Sequence, residues 1–158
     1  MGTEFSQGTE WAESRSLDWY LLDHPEHRGV QSAVRDLNAL YRQHPALWAL
    51  DHSPQGFEWI DANDADHNVL AYLRRDDRGD VVAVVINFSG VPHENYRLAL
   101  PQGGAWTEAL NTDALEYGGS GVGNLGEVQA RQEPHHGRAF SAVLRVPPMA
   151  ALFLTPAR

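Results

Sequence analysis

Two periods of apolar residues divide the chain. Val30, Val34, Leu37 and Tyr41 recur at i, i+4, i+7 and i+11, an apolar stripe at helical period, with Arg35, Asp36, Asn38 and Arg42 mostly off it. That spacing predicts one helix. Pro45 ends it, because proline lacks an amide donor and disfavours helical geometry at His44. Beyond Pro45 the pattern becomes short runs separated by polar turns. Phe57–Ile60, Val69–Leu73, Tyr96–Leu100 and Trp106–Leu110 read as strands. Phe140, Ala142, Leu144 and Val146 alternate at period two, and Met149–Thr155 follows. The run Val81–Phe88 is apolar at successive positions and β-branched, which predicts a central strand buried on both faces.

One helix followed by about seven short strands, with Gly, Pro and Asp turns between them, predicts a mainly β fold. The expected architecture is an antiparallel β-sandwich. The stretch 113–137 is Gly-rich and poor in periodicity, and is expected to be an ordered excursion, since long structureless loops are uncommon in compact domains. The opening residues, Met1 to Trp11, read like the middle of a protein, with no charged n-region and no apolar signal core.

Composition narrows the chemistry. The 158 residues suffice for one domain with a real core, or one domain plus an appendage. Cysteine is absent, so disulfides, thiol catalysis and Cys-ligated zinc are excluded. That fits a reducing, cytoplasmic compartment. A formal net charge of -9 repels nucleic acid and anionic membrane surfaces, and is compatible with a neutral ligand such as a carbohydrate. No apolar run approaches the roughly 20 residues that span a bilayer.

Most chemical motifs fail on their context. Gly121-Val122-Gly123-Asn124-Leu125-Gly126 matches the dinucleotide pattern but lacks the strand before it and the helix after it. Asp61 to Asp66 hints at a calcium loop, yet Ala65, Asp66 and Tyr72 fall where a carbonyl-compatible ligand, glycine and glutamate are needed, so a solvated turn is the reading. His135-His136, and His24 with His27, lack a third spaced ligand, so no metal is expected. Ser120 sits among glycines, but Val122 breaks the nucleophile elbow. No cofactor is expected. The tryptophans are more informative: Trp11 and Trp106 adjoin polar, Gly-rich segments, where an indole face could stack on a sugar.

Several segments together carry a resemblance. Ser16-Leu17-Asp18-Trp19, His27 to Asn38, Gly56-Phe57-Glu58-Trp59, Asn87-Phe88, Glu108 to Asp113, Tyr117-Gly118-Gly119-Ser120 with Gly123-Asn124, and His136-Gly137-Arg138 resemble the bacterial 1,4-α-glucan (glycogen) branching enzymes of the α-amylase superfamily, in order and over nearly the whole chain. The chain departs from the family at Ser89-Gly90 in place of Thr-Pro, at His93 in place of Arg, and at Met149 in place of Leu. The resemblance implies an eight-stranded β/α barrel with a C-terminal β-sandwich of Greek-key type. Residues 1–46 would be the end of that barrel, its last strand end, loop and last helix. Residues 47–158 would be the sandwich.

The resemblance further implies a retaining transglycosylation that cuts α-1,4 bonds and forms α-1,6 branches. Its nucleophile and acid/base carboxylates lie in family motifs that have no match here, so no catalytic residue is assigned and the segment alone is expected to be inert. Gln7, Glu10 and Trp11 would lie on a loop at the active-site face, lining the glucan groove or serving as structure. Trp106, Asn111, Asp113 and Tyr117 could form a secondary α-glucan site. A self-bonded turn at Asn111-Thr112-Asp113 is the preferred reading of the same residues. Two rivals stay open: a stand-alone glucan-binding module, and a related debranching or trehalose-forming enzyme.

Overall fold

The computed structural model describes residues 1–157. Helix α1 runs Pro25–Gln43 and is followed by eight strands: β1 Phe57–Asp64, β2 Val69–Arg75, β3 Val81–Asn87, β4 His93–Leu100, β5 Gly104–Asn111, β6 Glu127–Ala130, β7 Phe140–Val146 and β8 Ala150–Pro156. Six form one sheet in the order β1-β2-β3-β8-β5-β6, and β4 pairs with β7 in a second. All their pairings are antiparallel. The chain crosses between sheets at β3–β4, β4–β5, β6–β7 and β7–β8, so the core is closed by segments distant in sequence.

That core lies between the sheets. Val69, Ala71 and Leu73 of β2, and Val81, Ala83 and Val85 of β3, meet Leu98 and Leu100 of β4 and Ala142, Leu144 and Val146 of β7. Strand β3 is buried on its other face too, where Val82 and Val84 pack under Ala46, just after the helix. The apolar run Val81–Phe88 is therefore the central strand its pattern predicts. Trp106 is the largest side chain in the core, with 0% exposure. Its indole N–H donates to the Gln102 carbonyl at 3.2 Å, which satisfies the polar edge that burial would otherwise strand.

Two local differences from the sequence reading have physical causes. The helix starts at Pro25, five residues before its first apolar stripe position, because proline at the first helical position has no amide to leave unpaired. Strand β6 lies inside the Gly-rich stretch 113–137 and was not anticipated. With only four residues it is too short to show a period, and it exists by pairing Val128 with Trp106.

The helix also presents an unexpected face. Leu37 and Tyr41 of the predicted stripe are 40% and 47% exposed, while Gly29 and Leu40 are the buried positions. The buried positions Gly29 and Leu40 each lie one residue before the stripe positions Val30 and Tyr41. On the stripe itself Val30 and Val34 are half-buried, and Leu37 and Tyr41 are left exposed.

Motif positions fall into place within this frame. Asn87, buried at the end of β3, donates to the carbonyls of Val91 and Pro147, both at 2.9 Å, and accepts from the Ser89 amide and hydroxyl. Serine at position 89 keeps the hydroxyl that a threonine would supply. Met149 is exposed in the β7–β8 turn, at φ 48°.

Glu58 on β1 pairs with Arg75 of β2 at 3.0 Å and with Arg138 on the β6–β7 connection. Burial pushes its carboxyl up, but the two guanidiniums outweigh that and hold it below its ordinary value.

Replacing Trp106 with alanine empties the core and should cost about 3–5 kcal/mol, measured by urea unfolding. Glu58→Gln tests the ion-pair network. A lowered carboxylate stabilises the fold above its unfolded value of about 4.3 and loses that contribution as pH falls through its folded value. Glu58 is half-exposed, so the expected loss near neutral pH is only about 0.2–1 kcal/mol. The gap between wild type and variant should close in acid.

Candidate functional site

The residues singled out by sequence separate into three places. Trp106 is in the core, and with no exposed surface it cannot stack on a sugar; that reading is corrected by its burial. Asn111, Asp113 and Tyr117 belong to a polar junction between the sandwich and α1. Gln7, Glu10 and Trp11 lie on the loop before the helix.

The junction is built around one carboxylate. Asp113, nearly buried, accepts from the Ser120 amide at 2.8 Å, the Ser120 hydroxyl at 2.6 Å and the Val122 amide at 3.0 Å. Charge-assisted bonds of this kind are about twice as strong as neutral ones. Asn111 adds a second tie: its side-chain oxygen accepts from the Asp113 amide at 2.9 Å and its NH₂ donates to Val122 O at 2.8 Å. Glu108 receives the Asn124 amide at 3.0 Å and side chain at 2.8 Å, and Asn124 bonds the Arg145 backbone of β7 through both ends of its amide. Gly119 permits the fold of the loop, since a Cβ there would stand 2.1 Å from Asp113 O. The Gly-rich sequence is thus a pinned loop. Gly121 to Gly126 leads into β6, which agrees with rejecting a dinucleotide motif.

Pinning the loop presents Tyr117 to the helix. Its hydroxyl donates to the Asp36 carboxylate at 3.0 Å, and a Cβ on Gly29 would lie 2.5 Å from the Tyr117 carbonyl oxygen. Burial, then the neighbouring Asp36, pushes the Tyr117 phenol well above its ordinary value. The adjacent Arg35 guanidinium, with help from Tyr117, holds Asp36 below its own. Asn111, Asp113 and Tyr117 have their polar groups committed to this junction rather than to a groove, which corrects the secondary-site reading in favour of the self-bonded turn.

The same helix anchors the N-terminal loop. His27 Nδ1 lies 2.7 Å from the Phe5 carbonyl oxygen and, since a carbonyl only accepts, carries the proton. Phe5 is buried and stacks on Trp19 with centroids 5.3 Å apart. Gln7 uses its side-chain oxygen to accept the Asp18 amide at 2.8 Å, and Thr9 donates to the Asp18 carboxylate at 2.8 Å. Gln7 therefore braces the loop. Glu10 is exposed, with no partner among the described residues, and Trp11 is 67% exposed, so these two are the groups the loop offers outward. Sequence reasoning missed His27, Gly29 and Asp36 as members of this system. Their only signal was their place in the matching stretch His27 to Asn38.

Among the described residues, no group of three His, Cys, Asp or Glu side chains could hold a metal ion. His24 and His27 are edge-to-edge at 6.2 Å, with His27 committed to Phe5. No helix of the described residues is long and apolar enough to cross a membrane.

An all-β, two-sheet domain with an amphipathic helix pinned to one of its loops is the class of protein these features define. Residues 59–157 match the family model described as alpha amylase, C-terminal all-beta domain, and the chain belongs to that family. It is 58% identical, over its whole length, to a 1,4-alpha-glucan branching enzyme GlgB of Leifsonia xyli subsp. xyli, of which it covers 22%. It is 56% identical over 158 residues to a protein of the same name from Mycobacterium tuberculosis (strain ATCC 25618 / H37Rv), again covering 22% of it. The chain thus spans about a fifth of the length of the curated relatives it matches. The crystal structure of the Group B Streptococcus pullulanase SAP superimposes with a TM-score of 0.54 and 18% identity, over 89% of this chain and 18% of that one, a likeness of fold alone.

Substitution of Gly29 discriminates a packed junction from an incidental one. On an unopposed helix, Gly29→Ala stabilises by about 1 kcal/mol through helix propensity. Here the added methyl meets the Tyr117 carbonyl, so the variant should instead lose about 1–3 kcal/mol in urea unfolding.

Proposed function

We propose that this chain is the C-terminal part of a cytoplasmic 1,4-α-glucan branching enzyme, and that it braces the catalytic part without supplying catalytic groups. The observation that carries this reading is the 58% identity extending over all 158 residues against 22% of the relative. Residues 1–46 would complete the barrel and residues 47–158 form the sandwich. The two carboxylates of a retaining mechanism, about 5–5.5 Å apart across the scissile bond, belong to the remaining four-fifths of the enzyme.

The geometry supports bracing. The sandwich fixes Tyr117, Tyr117 and Gly29 fix α1, and His27 of α1 fixes Phe5 at the root of the loop. That loop carries Glu10 and Trp11 to the α-glucan groove, where the exposed indole stacks on a sugar ring. The exposed Leu37 and Tyr41 of α1, beside the half-buried Val30 and Val34, pack on the rest of the barrel, as do the exposed Trp19 and Trp48. The net charge of -9 suits a neutral polysaccharide, with no nucleic acid or membrane partner.

An amylose–iodine assay tests both halves. The 158-residue chain should leave the blue complex unchanged, and branching by it alone would overturn the bracing role. The full-length protein should bleach the complex and yield α-1,6 linkages by NMR. A full-length protein that hydrolyses amylose without forming branches would overturn the branching assignment. In that protein, Trp11→Ala should raise KM for amylose several-fold, taking a ring-stacking contact as about 0.5–1.5 kcal/mol.

A further inference from the structure

We propose that a cleft between the β1–β2 hairpin, the start of β4 and the β6–β7 connection is a binding site for a neutral, hydroxyl-rich ligand, and that its ligand is a short α-1,4-glucan. The α-1,4-glucan assignment rests on the proposed function above; the neutral, hydroxyl-rich chemistry does not. The cleft encloses about 510 Å³ and is walled by His67, His93, Tyr96, Asn95 and the His135-His136 pair over a floor that includes Asp61 and Asp64. That volume lies within the roughly 300–1,000 Å³ typical of ligand sites.

Hydrogen bonding fixes the histidine tautomers. His67 Nδ1 lies 2.6 Å from the Asp64 carboxylate, so this nitrogen donates, and Nε2 of the neutral ring is left as an acceptor with no partner among the described residues. His93 Nε2 lies 2.9 Å from the His67 carbonyl oxygen, so it too donates, and Nδ1 is the acceptor left over. The Asp64 carboxylate also accepts from the Tyr96 hydroxyl, and Asp61 accepts the Asn63 amide at 2.9 Å, so both carboxylates are engaged within the protein. Asn95 is exposed, and its side-chain amide has no partner among the described residues. The cleft therefore offers two imidazole acceptors and the Asn95 amide, which the O–H groups of a polyol can pair with as donors and acceptors.

The walls offer apolar contact as well. The His67, His93 and Tyr96 rings cluster with centroids 5.2–6.2 Å apart, His67 standing edge-on to the other two, so a C–H group can meet a ring face or edge here. His135 stacks on His136 at 4.0 Å, and His136 lies 3.4 Å from Asp61. Burial first, then the neighbouring His136 and Arg97, lowers the His135 pKa, which keeps this ring neutral. Carboxylates at 61 and 64 disfavour anions. Arg97, a cation at the rim, is committed to Glu133 and Ser141. A metal ion lacks three suitable ligands among the described residues.

The test is a titration of the 158-residue chain with maltoheptaose, read by the imidazole Cε1–H resonances at about pH 8, where unperturbed histidines are neutral. Saturable shifts of the His67 and His93 signals are expected, with little response to cellohexaose. His93→Arg, which puts a longer charged side chain into the cleft, should weaken binding at least tenfold, as should Asn95→Ala, which leaves the core untouched. Absence of saturable shifts at these histidines with either sugar would overturn the site. A response to cellohexaose with none to maltoheptaose would overturn the α-1,4-glucan assignment. Failure of the full-length protein to branch amylose would leave the maltoheptaose result unaffected, so the two readings fail separately.

Discussion

The Asp113 carboxylate holds the connection between the two parts of this chain. Three donors from Ser120 and Val122 converge on it, and it is nearly buried, so water cannot substitute for any of them cheaply. Those bonds convert a Gly-rich loop, with little packing of its own, into a rigid projection. Only a rigid loop can hold the Tyr117 carbonyl against Gly29 closely enough that a methyl group would not fit. The junction is specified by shape as much as by the Tyr117–Asp36 hydrogen bond.

A relay of fixed elements follows from that contact. The β-sandwich core holds β5, β5 leads into the Asp113 loop, the loop positions α1, and His27 of α1 holds Phe5. The links are packing contacts, hydrogen bonds and chain continuity, and none needs a group that performs chemistry. In the proposed function this is how a domain without catalytic residues shapes an active-site loop: it supplies the fixed reference against which the loop is held.

The periodic parts of the fold were legible without coordinates. Val81 to Ile86 reads as a strand buried on both faces because it offers water no polar side chain on either, and β3 lies in the middle of its sheet. The alternation in Phe140–Val146 survives as inward and outward faces of β7. Sites were less legible. Trp106 beside Gly103 and Gly104 looks like a surface platform, yet β5 pairs with both β6 and β8, and that pairing encloses the indole. His67, His93 and His135 are 26 or more positions apart at each step, so no spacing rule brings their cleft to notice.

By itself, the sequence determined the strands other than β6 and where the helix ends. These depend on local period, on β-branched side chains and on proline, all properties of neighbours along the chain. It also excluded thiol and disulfide chemistry through the absence of cysteine. Only the tertiary structure decided which face of α1 is buried, whether the Gly-rich stretch is mobile or pinned, and which polar residues are spent on structure. Those outcomes depend on close approaches between segments far apart in sequence, such as Gly29 with Tyr117, and a linear pattern does not encode how near two backbones can come.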